Sequence, residues 1–148
     1  MTAPFIMIVD DEVPFVETVV KRLGKRNIET LAAFSAEEGL EKLKTHQNLE
    51  VIVLDIKMPG MDGIAALKEI KRLVPLVEVI MLTGHATIES AIDAMKLGAS
   101  DFLMKPCDIE ELILTVEEAI KKKREHDKKI QEALKQETLS KYGPFYYT

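Results

Sequence analysis

Short apolar runs recur along the chain, each followed by a helix-forming stretch. Phe5–Val9 and Val51–Leu54 are uninterrupted, Val77–Leu82 is broken only by Glu78, and Glu29–Ala32 and Asp101–Met104 are weaker. Strands that are apolar throughout, rather than alternating, belong to a parallel sheet covered on both faces. The intervening stretches carry helix signals. Pro14 sits just inside the start of a helix over about 13–26, where its missing N–H costs nothing, and Val16, Val19, Val20 and Leu23 share one face. Ser35-Ala36-Glu37-Glu38 fits a capping box and opens a helix to about Thr45. A third helix is predicted over 64–73, with Ile64, Leu67 and Ile70 inward. A fourth over 87–97 stops at Gly98, and a fifth is capped at Asp108, with Ile109, Leu112, Ile113, Val116 and Ile120 on one face.

The order is strand then helix, five times. Right-handed crossovers turn such a chain into an α/β domain, a doubly wound five-stranded parallel sheet. Ligands of these folds bind beyond the carboxyl ends of the strands. Asp10, Asp11, Asp55, Thr83 and Lys105 each lie at or just past such an end, so the topology gathers them into one cleft.

Carboxylates gathered in one place repel unless a cation joins them. Hard oxygen donors favour Mg²⁺, which readily shares carboxylate and phosphate oxygens. A lysine adds a point charge for a phosphoryl oxygen and a threonine adds a hydrogen bond. Asp55 stands alone after its strand, before the turn-forming Met58-Pro59-Gly60, and is the candidate nucleophile for an acyl phosphate.

Four segments together resemble the receiver domain of two-component response regulators, the CheY-like superfamily. They are Ile8-Val9-Asp10-Asp11-Glu12, Val53-Leu54-Asp55-Ile56-Lys57-Met58-Pro59-Gly60-Met61-Asp62-Gly63, Met81-Leu82-Thr83-Gly84-His85 and Gly98-Ala99-Ser100-Asp101-Phe102-Leu103-Met104-Lys105-Pro106. The resemblance covers roughly residues 4–122 and implies a (βα)5 flavodoxin-like fold with strand order 2-1-3-4-5. It implies that Asp55 accepts a phosphoryl group from a sensor histidine kinase. Asp10, Asp11, Asp55 and the backbone carbonyl of Lys57 would hold Mg²⁺. Lys105, ahead of a Lys105–Pro106 bond that is often cis in the family, would pair with the phosphoryl group. Thr83 would move to bond it, with Phe102 as the aromatic switch. Lys57 and His85 would tune how long the phosphoryl group survives. Such a chain is a phosphoacceptor that assists its own phosphorylation and dephosphorylation, not an enzyme acting on a separate substrate.

Composition narrows the alternatives. One cysteine, Cys107, excludes a disulfide framework and a cysteine-based zinc site. No apolar run approaches the roughly twenty residues of a membrane span, and Met1–Pro4 does not read as a signal peptide, so the expectation is a cytoplasmic protein. The net charge is −5, but residues 121–148 carry eight Lys/Arg against four Asp/Glu. The body is therefore acidic, and direct nucleic-acid binding by this chain is not expected. Asp62-Gly63 reads as turn chemistry, and His46 and His126 as solvated side chains. A Mg²⁺-dependent aspartyl-phosphate phosphatase generally carries a second acid two residues after its nucleophile, where this chain has Lys57. A flavin-binding domain would need a phosphate cradle where Asp10-Asp11 stand.

The expected organisation is a receiver over 1–122 and a helical extension or tail over 123–148. Ile120, Ile130 and Leu134 form part of a seam interrupted by Lys123 and Asp127, with Gly143-Pro144 ending the helix and Phe145-Tyr146-Tyr147 a docking candidate. The output is either a protein partner or the effector of a longer, enhancer-binding type of transcriptional regulator. A homodimer through the fourth helix, fifth strand and fifth helix fits both.

Overall fold

A computed structural model describes residues 2–85 and 87–142. Gly143-Pro144 and Phe145-Tyr146-Tyr147, read above as the helix end and a docking candidate, lie outside the described residues. The elements run β1 (Phe5–Val9), α1 (Val13–Gly24), β2 (Glu29–Ala33), α2 (Ala36–Thr45), β3 (Val51–Leu54), α3 (Gly63–Leu73), β4 (Glu78–Thr83), α4 (Ile88–Lys96), β5 (Asp101–Met104) and α5 (Ile109–Tyr142). The strands form one parallel sheet in the order β2-β1-β3-β4-β5, as the resemblance implied.

Period-two geometry splits each inner strand between two cores. Met7, Val9, Ile52, Leu54, Val79 and Met81 face a layer built with α2, α3 and α4. Ile6, Ile8, Val51, Val53, Ile80 and Leu82 face a layer built with α1 and α5. All of β3 and β4 is buried, whereas the edge strands β2 and β5 are only partly so. The continuous apolar runs thus mark the strands covered on both faces, and the two weaker runs are the edges.

One helix start differs from the sequence reading. At α2, Ser35 Oγ accepts the Glu38 N–H, but the Glu38 carboxylate reaches back one residue further than a capping box requires, to the Phe34 N–H at 3.0 Å. At α1 the cap position is Glu12, whose side chain caps nothing; its own N–H goes to Asp10 Oδ1 at 2.9 Å. Asp10 is thereby oriented by the backbone it precedes. At α4, Thr87 and Ser90 form a reciprocal capping box, and the helix ends at Gly98 with φ +99°. His46 is half-buried rather than solvated: its Nδ1 lies 2.8 Å from the Lys42 carbonyl and its ring packs on Phe5.

The β3–α3 connection is the most constrained loop. Asp62 caps α3, accepting the N–H groups of Ile64 at 2.6 Å and Ala65 at 3.1 Å. Gly63 donates to the Ile56 carbonyl at 2.6 Å. A Cβ on Gly63 would overlap the Asp55 carbonyl oxygen and sit 2.5 Å from Ile56 Cα, so only glycine allows this close approach. The turn read from Asp62-Gly63 is therefore a helix cap followed by a backbone contact.

Asp62→Ala is expected to cost about 1 kcal/mol through the lost cap. Gly63→Ala should cost more, roughly 1–3 kcal/mol, because the backbone behind Asp55 must shift. Urea unfolding of both variants checks the ranking, and equal losses would contradict it.

Candidate functional site

The five strand-end residues singled out from sequence converge. Asp10 follows β1 and is 1% exposed; Asp55 follows β3 and is 4% exposed; Thr83 ends β4 and is buried; Lys105 follows β5. Asp11, next to Asp10, is exposed. Asp10, Asp11 and Asp55 each offer a carboxylate oxygen, and these lie within 4.8 Å of one another, the one such grouping of His, Cys, Asp or Glu among the described residues. Two members are buried and one opens to solvent. A small hard cation fits this set, because all three donors are oxygens and the open side leaves room for water or a phosphoryl oxygen.

Lys105 is the counter-charge. Its Nζ lies 2.6 Å from Asp10 Oδ2, 3.1 Å from Glu12 Oε1 and 3.7 Å from Asp55 Oδ2. Its closest partner here is thus Asp10. The Lys105–Pro106 peptide bond is cis. Burial pushes the Asp10 carboxyl above its ordinary range, and the bonds from Lys105 and the Glu12 N–H pull the other way without cancelling it. Burial alone would lower Lys105, but the carboxylates of Asp10 and Glu12 reverse that and hold the ammonium above its usual range. The cation is therefore firmly charged among acids.

Around this core, Asp55 Oδ1 accepts the Lys57 N–H at 3.4 Å, which places the Lys57 backbone beside the cluster, while the Lys57 side chain is exposed. Thr83 Oγ1 accepts the His85 N–H at 3.1 Å and so is engaged with its own loop; His85 itself is exposed. Phe102, in edge strand β5, is half-buried against the α4 side of the core. Cys107 is a half-buried packing residue whose thiol burial pushes up.

Sequence reasoning missed three contributors. Glu12 was read with the acidic pair, yet its carboxylate binds Lys105. Phe15 lies under the Lys105 ammonium, 4.7 Å from ring centroid to Nζ. Glu37, at the start of α2, accepts the Met61 N–H at 2.7 Å and so pins the loop after Asp55. No local pattern announces these contacts, because each joins segments far apart in the chain.

The matches to known proteins agree with this geometry. Residues 6–117 match the response regulator receiver domain family. The transcriptional regulatory protein ZraR of Escherichia coli K12 is 36% identical over 115 residues, which are 78% of this chain and 26% of that protein. The DNA-binding transcriptional regulator NtrC of Klebsiella pneumoniae is 38% identical over 113 residues, 76% of this chain and 24% of that protein. The chain spans about a quarter of the length of these curated relatives. Among solved structures, a receiver domain from Clostridium thermocellum superposes with TM-score 0.77 at 36% identity, covering 82% of this chain and 97% of that one. The receiver domain of NtrX from Brucella abortus gives 0.72 at 38%, covering 78% and 98%. Strand order, the acid cluster at the carboxyl ends and a match over most of the chain converge: this chain belongs to the response regulator receiver domain family.

Proposed function

We propose that Asp55 is the phosphoacceptor of a phosphorelay, with Mg²⁺ held by Asp10, Asp11, Asp55 and the Lys57 carbonyl, and a sensor histidine kinase as donor. The observation that carries this is the juxtaposition of Asp10, Asp11 and Asp55 within 4.8 Å, with Lys105 reaching two of them. In the transfer, an Asp55 carboxylate oxygen attacks phosphorus. The donor's bond to phosphorus breaks, and its electron pair leaves with the donor's imidazole. Bound Mg²⁺ would supply positive charge to the phosphoryl oxygens. Lys105 turns from Asp10 toward a phosphoryl oxygen, and Thr83 donates its hydroxyl hydrogen to a phosphoryl oxygen. Phe102, half-buried now, follows Thr83 inward.

In this reading residues 1–122 form the receiver, in the cytoplasm, and 123–148 a C-terminal helical extension or tail, of which 123–142 continue α5. That helix is 34 residues, about 50 Å long, and runs without a break past the last buried positions, Ala119 and Ile120. Arg124 ties it to the body by two bonds to Glu50, at 2.7 and 3.1 Å. Two outputs fit: a protein partner, or the effector of a longer regulator. Likeness to ZraR and NtrC, both transcriptional regulators, supports the second.

The switching face is α4, β5 and α5. Only Ala94 of α4 is buried, while Ile88 (83% exposed), Ile92, Met95 and, on β5, Met104 form an exposed apolar strip. Apolar side chains gathered on the surface of a small domain mark a partner site, and a second receiver fits it.

Incubation with acetyl phosphate and Mg²⁺ should add the mass of one phosphoryl group to wild type and nothing to Asp55→Asn, by intact mass spectrometry. Uptake unchanged in the Asn variant would sink the assignment. Light scattering of the phosphorylated protein should show a doubled mass that Ile88→Glu lowers toward monomer; a monomeric mass before and after phosphorylation would argue against the dimer. In buffer without divalent ions, Lys105→Met should destabilise by about 1–3 kcal/mol, since a buried carboxylate loses its partner. Mg²⁺ should return part of that loss by binding the folded state. Urea midpoints with and without Mg²⁺ check this, and a variant as stable as wild type without metal would contradict it.

A further inference from the structure

Phe15 lies in the first turn of α1, just after Asp10-Asp11-Glu12, and is half-buried against the core layer that α1 shares with α5. The Lys105 ammonium stands over its ring, 4.7 Å from the centroid, so the surroundings of this cation are three carboxylates and one aromatic face. The two kinds of partner behave differently. A carboxylate can be claimed by another cation, and Asp10 and Asp55 both belong to the oxygen set suited to Mg²⁺. An aromatic face attracts an ammonium through its quadrupole but offers no donor to a hard metal ion. A lysine stem is long and flexible, and an ammonium released from its acid returns to water unless something else holds it. Only 12% of the Lys105 side chain is exposed, so the ring attracts it in a largely desolvated setting, where such contacts are strongest.

We propose that Phe15 is a positioning residue for Lys105. Its ring keeps the ammonium at the mouth of the acid cluster when Asp10 is otherwise engaged, within a small rotation of a phosphoryl oxygen on Asp55. This rests on the phosphoacceptor reading above. It separates two roles for one side chain: packing depends on the ring's volume, whereas holding a cation depends on its charge distribution. Fluorine drains the negative face of the ring with little change in size.

The test replaces Phe15 by phenylalanines carrying one, two or three ring fluorines, and by Phe15→Tyr and Phe15→Leu. Phosphorylation by acetyl phosphate in Mg²⁺ is timed by intact mass. The rate should fall stepwise with fluorine number, reaching about three- to tenfold slower for three fluorines and for leucine, and staying near wild type for tyrosine. A second readout needs neither metal nor donor. In divalent-free buffer, Phe15→Leu should lower the urea midpoint more in the wild-type background than in Lys105→Met, because only the former loses a cation contact. Equal loss in both backgrounds, or a rate that ignores fluorination in a protein that is phosphorylated, overturns this inference alone. Wild-type protein that never takes up a phosphoryl group overturns the phosphoacceptor reading, and the positioning role with it.

Discussion

Two carboxylates, Asp10 and Asp55, are buried at the same end of the sheet with one ammonium between them. Desolvation disfavours each charge, and their mutual repulsion adds to it. Lys105 makes the arrangement tolerable, and its position depends on the order of the strands. Asp10 follows β1, Asp55 follows β3 and Lys105 follows β5; parallel strands bring those ends to one rim, and the order β2-β1-β3-β4-β5 sets Asp10 and Asp55 on neighbouring strands. The site is a product of topology before it is a product of local geometry. With Asp11 and Glu12 in the same neighbourhood the site holds four carboxylates against one ammonium, three positive charges short of neutral, and a divalent ion would offset two of them.

Burial across the sheet grades from rigid to adaptable. β3 and β4 are wholly buried, and Thr83 sits at the end of β4, the one that lies beside β5. β5 is a half-exposed edge, and α4 buries a single residue. Regions with few buried apolar contacts are the ones that rearrange at low cost. Asp55 therefore stands on the stiff part of the molecule, on a loop locked by Asp62, Gly63 and Glu37, while Phe102 and the exposed α4 strip stand on the part able to move. A change at the acid cluster has a compliant surface beside it and a rigid one behind it. The ion pairs on the opposite flank, Arg22 and Arg26 with Glu110 and Glu117, are exposed and add little stability, though they tie α1 to the start of α5.

Much of this was legible in the residues. Strand ends could be placed within a residue because the apolar runs stop abruptly at Asp10, Asp55 and Lys105. The candidate acids, Thr83 and Lys105 followed from the rule that parallel sheets bind ligands at their carboxyl ends. What stayed hidden has a common form. Glu12 and Phe15 touch Lys105 across some ninety residues of chain, and Glu37 reaches Met61 from a different helix. The double duty of Asp10, which orients itself on Glu12 N–H with one oxygen and holds Lys105 with the other, needs coordinates to be seen.

The amino-acid order by itself determined the alternation of strands and helices, the two-faced burial of the inner strands and which side chains stand at the binding rim. These depend on periodicity and on turn chemistry, which act over a few residues. Tertiary structure decided which carboxylate the lysine prefers, what lies beneath it and how the loop behind Asp55 is pinned. Those outcomes depend on ångström-scale distances between elements, where desolvation and Coulomb attraction change steeply and no local pattern encodes them.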